Sequence, residues 1–224
     1  MPEDAALVLE GVGKRYGAAR VLRQVDAAFP HASVTLLTGG NGAGKSTLLR
    51  IMAGLSRPSA GRVVHGAGGG EARLGYVGHA TFLYPGLTAL ENLDFWRRAY
   101  GLAIDEDALI ALLERVGLAA HAHERARVFS RGMAQRLNLA RVLMLSPHIL
   151  LLDEPATGLD APSRALLREE ISASRRRGAC VVLVSHDLAG DAPLADRVLA
   201  LAGGKAVYAG PAKDFFAREG TCSA

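Results

Sequence analysis

The segment Ser33-Val34-Thr35-Leu36-Leu37-Thr38-Gly39-Gly40-Asn41-Gly42-Ala43-Gly44-Lys45-Ser46-Thr47 decides the fold. Its first six residues are mostly β-branched or apolar and read as a strand running into a glycine-rich turn. Behind the turn, Lys45 to Leu55 has helical spacing and stops near Pro58. Residues Gly39 to Ser46 fit G-x-x-x-x-G-K-S/T. In that pattern glycines let backbone amides ring a phosphate, and the helix dipole favours negative charge there. Lys45 bridges the β- and γ-phosphates and Ser46 offers an oxygen to Mg2+. A glycine turn preceding Lys-Ser by accident would lack the strand before it and the helix after it.

Upstream, Leu7 to Val12 and Val21 to Val25 read as small antiparallel strands. Downstream, Gly66 to Gly70 is a turn between two strands. From Thr88 to Leu145 the pattern is helical throughout, interrupted at Gly101 and Gly117, and reads as a lobe inserted into an α/β core. The core resumes with the apolar run His148 to Leu152, fit for a central parallel strand. A helix over Pro162 to Arg177, a strand over Ala179 to Val184 and a terminal α/β section follow. The expected organisation is one domain over 1–224, with 1–87 and 146–224 as core and 88–145 as lobe.

Half of the 224 residues are hydrophobic and 21% are charged, so a substantial core is expected and global disorder is excluded. No run approaches the roughly 18 to 20 apolar residues that cross a bilayer. Met1-Pro2-Glu3-Asp4 lacks the character of a signal peptide, so a cytosolic protein is expected. Cys180 and Cys222 offer neither metal-ligand spacing nor a disulfide framework, and Cys180 reads as a buried thiol. The net charge of +4 is too small to select a partner. His121 and His123 read as solvated loop residues, Arg175-Arg176-Arg177 as a helix C-terminus and Phe215-Phe216 as a helix docked on the core.

The strand His148 to Leu152 ends in Asp153-Glu154-Pro155, and strand C-termini face the ligand crevice in open α/β sheets. Asp153 is placed to hold Mg2+, and Glu154 to polarise the water that attacks the γ-phosphorus.

Three further segments carry a family resemblance. Phe129-Ser130-Arg131-Gly132-Met133 resembles the signature motif of ABC transporter ATPases, usually Leu-Ser-Gly-Gly-Gln. Ala156-Thr157-Gly158-Leu159-Asp160 resembles their D-loop, and Ser185-His186-Asp187 follows a strand as their switch histidine does. Tyr16 matches the aromatic residue that stacks on adenine. The order of these segments makes the resemblance specific and extends it over the whole chain.

The resemblance implies the ABC ATPase fold: a P-loop NTPase core with a parallel central sheet, an N-terminal antiparallel β section and the helical lobe. It implies ATP and Mg2+, a polytopic membrane subunit as partner, a peripheral place on the cytoplasmic side of the membrane, and no nucleic acid. It also implies a head-to-tail homodimer with two ATP sites at its interface. In each site Gly39, Gly40, Asn41, Gly42, Ala43, Gly44, Lys45, Ser46 and Thr47 of one subunit would face Ser130 and the Gly132 amide of the other. His186 would contact the γ-phosphate and attacking water, and Asp160 would join the two sites. Arg131 and Met133 depart from the signature, with Arg131 expected to point into solvent or towards the partner.

Within the family, His79 falls where glutamine is usual. The pair Gly78-His79 followed by Leu87-Thr88 and Glu91-Asn92-Leu93 is similar to the heme exporter ATPase of cytochrome c maturation. The short C-terminal section is also expected there. His79 would take the glutamine's hydrogen bonds near Mg2+ or water, or else would only fix the loop. Exporters of drugs, lipids or polysaccharides remain open, as do a soluble ABC ATPase and a binding module that holds ATP uncleaved. Leu90, Leu93, Trp96 and Tyr100 form one face of a helix assigned to the core, and Phe95 on the other face is a candidate partner contact.

Overall fold

The computed structural model describes residues 5–66, 72–78 and 80–221. Two long strands, β1 (Ala5–Tyr16) and β2 (Ala19–Pro30), lead into β3 (Ser33–Gly39) and α1 (Lys45–Met52). Next come β4 (Ala60–His65), β5 (Leu74–Val77), α2 (Ala89–Ala99), α3 (Glu106–Arg115) and α4 (Arg131–Leu143). The chain continues with β6 (Ile149–Asp153), α5 (Ala161–Arg176), β7 (Cys180–Val184) and the short α6 (Leu188–Asp191). It closes with β8 (Arg197–Ala202), β9 (Lys205–Pro211) and α7 (Ala212–Thr221).

The strands form two sheets. β2-β1-β4 is antiparallel. The larger sheet has the order β5-β6-β7-β3-β8-β9, parallel except for the antiparallel edge strand β9. Alternation along its inner strands divides two cores. Leu36, Leu150, Leu152, Val181 and Leu183 join α2 to α5 on one face. Leu37, Ile149, Leu151, Cys180, Val182 and Val184 join α1 and β1 on the other. Both faces are covered, which is why these strands read as continuous apolar runs.

Several elements differ from their sequence reading. β1 and β2 are 12 residues each, longer than the expected Leu7 to Val12 and Val21 to Val25, because bulges let the pairing continue beyond the apolar runs. α1 stops at Met52, where Gly54 in the left-handed region (φ 72°) turns the chain and the Leu55 N–H donates to the Arg50 carbonyl. Residues 116–130 hold only two 3-10 turns rather than continuous helix. Arg136 from α4 donates to the carbonyls of Val116 and Gly117, meeting acceptors that further helix would have used. Leu90, Trp96 and Tyr100 pack half-buried against the core that holds Leu93, as the helix face predicts, and Trp96 and Tyr100 also line a groove. Phe215 and Phe216 pack on the core, and Arg175 pairs with Asp196 at 3.0 Å. The turn at 67–70, His79 and Cys222 lie outside the described residues.

Candidate functional site

The site is built where β3, β6 and β7 end. Beyond β3 the loop turns on three glycines, Gly39, Gly42 and Gly44, in conformations that L residues rarely adopt, and the Ala43 N–H donates back to the Gly40 carbonyl at 3.1 Å. Gly39 has φ 141°, and a Cβ there would strike the Leu201 carbonyl oxygen of β8. Gly44 has φ 101°, and a Cβ would lie 2.7 Å from Leu22 Cδ2. That close approach seats the β1–β2 hairpin, which carries Tyr16 at its tip, against the loop.

Gly44 is also the N-cap of α1, and no side chain caps that helix or places an acid in its first turn. Its first N–H groups, including those of Lys45, Ser46 and Thr47, are thus available to an anion. Lys45 is 7% exposed, and its Nζ donates to the carbonyls of Gly39 (2.7 Å) and Gly40 (3.1 Å). An ammonium has three donors, so one remains for a phosphate. Gly40 and Asn41 lie exposed on the loop, and Ala43 is buried. Tyr16 is 53% exposed, with Lys14 Nζ 4.9 Å from its ring centre. It is a flat apolar surface open to stacking.

Asp153 ends β6 almost fully buried, and Ser46 Oγ donates to its Oδ1 at 3.0 Å. The Tyr76 hydroxyl reaches its other oxygen at 3.5 Å; burial, followed by this carboxylate's charge, raises the Tyr76 pKa. No cluster of three or more acidic, His or Cys side chains able to hold a metal exists among the described residues. One hydroxyl and one carboxylate beside a phosphate cradle nonetheless fit Mg2+, which usually keeps waters and takes its other ligands from substrate phosphates. Ser46 and Asp153 are the residues that would hold it.

Glu154 follows with φ 53°, the left-handed region, where a non-glycine residue costs about 1–3 kcal/mol. Its N–H donates to the Val184 carbonyl at 3.1 Å, which fixes this conformation against β7. Its Oε1 lies 2.8 Å from Nε2 of His186, just beyond β7. Strain is thus spent to place one carboxylate beside one imidazole at the open end of the sheet.

The signature residues lie on another element. Ser130 is the N-cap of α4, its Oγ accepting from the Met133 N–H at 3.2 Å. Gly132 faces the D-loop, where a Cβ would meet Leu159 Cδ2 at 3.5 Å. Arg131 is exposed, but its stem crosses Gly158, and it lines a cleft of about 70 Å3 with Asp153 and Glu154. Asp160 caps α5 by accepting from the Ser163 N–H at 2.9 Å, and its hydrogen bonds to Ser163 lower its pKa. The structure therefore brings together Lys45, Ser46, Asp153, Glu154 and His186. No hydrogen bond links Ser130, Gly132 or Asp160 to them within the described chain. Sequence reading missed Tyr76 at Asp153, and also Arg168 and Asp191 behind His186. All three are common residue types without a motif.

Comparison with known proteins gives a consistent result. The ABC transporter family matches residues 22–157, more than half of the chain. The aliphatic sulfonates import ATP-binding protein of Burkholderia thailandensis is 40% identical over 93% of this chain and 62% of its own length. The daunorubicin resistance ATP-binding protein of Streptomyces coeruleorubidus is 34% identical over 97% of this chain and 72% of its own. The chain spans about three fifths of the length of the sulfonate relatives. A solved ATP-binding subunit of an ABC transporter superposes with TM-score 0.85 at 27% identity, over 96% of this chain and 93% of that one. A Clostridium perfringens subunit, part of the cbiONQ transporter complex, shares the fold with TM-score 0.80 at 23% identity, over 97% and 93%. With the phosphate loop, the buried carboxylate and the helix-capping serine in one ABC ATPase fold, the chain belongs to the ABC transporter family.

Proposed function

We propose that the chain is the ATP-hydrolysing subunit of an ABC transporter, working as a head-to-tail homodimer on the cytoplasmic face of a membrane. The observation that carries this reading is the strained Glu154 held 2.8 Å from His186. The loop amides and Lys45 hold the ATP phosphates, and Tyr16 stacks on the adenine. Glu154 draws a proton from the attacking water, and His186 orients Glu154 and the γ-phosphate. Mg2+, when bound at Ser46 and Asp153, neutralises phosphate charge. Ser130 and the Gly132 amide complete the site of the other subunit through the α4 N-terminus, and Asp160 lies at the same interface. Phosphate release from the purified chain with Mg-ATP is expected. ATP bound without release would make it a binding module.

The membrane partner is proposed to dock in the groove of about 270 Å3 between the turn after α1, β5, α2 and α4, which Leu55, Phe82, Trp96, Tyr100 and Arg141 line. Phe95 sits on its aromatic rim at 40% exposure, 4.5 Å from the Tyr84 ring and 5.5 Å from Trp96. Exposed rings around a groove are what partner contacts use. Phe95→Ala is expected to weaken co-purification with the membrane subunit by about fivefold or more while leaving basal ATPase unchanged. Undiminished co-purification would remove Phe95 from the interface.

For cargo, Gly78-His79 with Leu87-Thr88 and Glu91-Asn92-Leu93 supports the heme exporter of cytochrome c maturation. The relatives above are named for sulfonate import and drug resistance, so this reading rests on those residues. Mass spectrometry of the membrane subunit that co-purifies tests it. A sulfonate or drug permease in that position would overturn it.

A further inference from the structure

His186 stands on a three-residue connection between β7 and α6, and its side chain is 56% exposed. Behind the connection lies a cavity of about 230 Å3, walled by Glu154, Leu167, Arg168, Ile171, His186 and Asp191. A loop with a void at its back has room to swing, yet His186 points at Glu154. Its two neighbours explain this.

Ser185 Oγ donates to Asp191 Oδ2 at 2.6 Å and accepts from the Asp187 N–H at 3.0 Å. Asp187 caps α6, its Oδ1 accepting from the Gly190 N–H at 3.0 Å. Arg168 reaches from α5 to close the ring: Nε donates to Asp191 Oδ1 at 2.7 Å and Nη2 to Asp187 Oδ2 at 2.8 Å. Asp191 and Ser185 are 4% and 7% exposed, so the bond between them is shielded from water, while the Arg168–Asp187 bond lies at the surface. Gly190 leaves the space this needs, since a Cβ there would strike both Arg168 Nη2 and Asp187 Oδ2. The residues on either side of His186 are therefore tied to one guanidinium on a helix that begins at Asp160.

We propose that Arg168 and Asp191 are positioning residues for ATP hydrolysis, holding the Ser185–Asp187 connection so that His186 stays on Glu154. This rests on the role proposed above for His186. The fork of an arginine is what allows two carboxylates on different turns to be held at fixed angles. Because α5 starts in the D-loop, the same bonds tie His186 to the segment expected at the dimer interface.

The test measures kcat and KM for Mg-ATP with the purified full chain. Asp191→Asn keeps the side chain's size, and Arg168→Lys keeps the charge but loses the fork. Each is expected to lower kcat by about tenfold, as small misplacements of reacting groups do, with KM within about twofold. In a His186→Ala background, followed over long incubations, neither is expected to lower kcat by more than about twofold, because the group they position is gone. Wild-type kcat in both single variants would overturn the inference. So would an equal loss in the His186→Ala background, which would mark a merely structural role. Normal turnover by His186→Ala alone would overturn the reading of the site itself, and the inference with it.

Discussion

Glu154→Gln is expected to bind ATP as the parent does and to lose hydrolysis by about 100-fold or more. The amide has the carboxylate's shape, so the bond to the Val184 carbonyl and the left-handed backbone have no reason to change. What disappears is the group that accepts a proton from water. The amide still has an oxygen and an NH2 to offer His186 Nε2, so the pair can persist without its chemistry. With hydrolysis blocked and binding intact, an ATP-dependent dimer should accumulate. Phosphate release and size-exclusion chromatography with and without ATP measure the two effects. Normal turnover would remove Glu154 from the mechanism.

The second large effect is expected at Gly39. Gly39→Ala forces a methyl group onto the Leu201 carbonyl oxygen at a φ of 141°. The obstructing carbonyl is backbone in the interior of the sheet, so no rotamer relieves the clash. A loss of about 3 kcal/mol or more in stability is expected, with nucleotide binding lost because β3 and the loop must separate from β8. Gly42→Ala is the contrasting case. Its φ is also positive, at 77°, but a Cβ there meets nothing within 4 Å. It should cost only about 1 kcal/mol. Thermal unfolding and nucleotide titration of both variants check this. Equal stability would show that the β3–β8 approach does not depend on glycine.

The strand–loop–helix around Lys45 was legible because each of its parts sits next to the others in the chain. The same holds for the apolar run that ends in Asp153-Glu154. Strand lengths were not legible at β1 and β2: the apolar runs stop at Val12 and Val25, while bulges carry the pairing on to Tyr16 and Pro30. Residues 116–130 carried helical spacing, but Arg136 takes the carbonyls of Val116 and Gly117 that would have propagated it. At the site, Arg168 and Asp191 are 23 residues apart and belong to the commonest surface residue types. Only folding shows that they meet behind His186. The positive φ of Glu154 leaves no trace in sequence either, because the β7 backbone imposes it.

The inner strands β3, β6 and β7 give alternate side chains to both hydrophobic cores. Neither interior can melt while the other stands, because each lost strand is lost to both. Heat or denaturant must therefore open the sheet in a single event rather than peel one layer from it. Cys180 is a built-in timer for that event. Its thiol is fully buried in β7, and desolvation pushes its pKa up to about 12, so it is inert to alkylation while the sheet is closed. In a Cys222→Ser background, with thiol reagent concentrated enough that labelling outpaces reclosing, the rate at which one label adds to the chain is the rate at which the sheet comes apart.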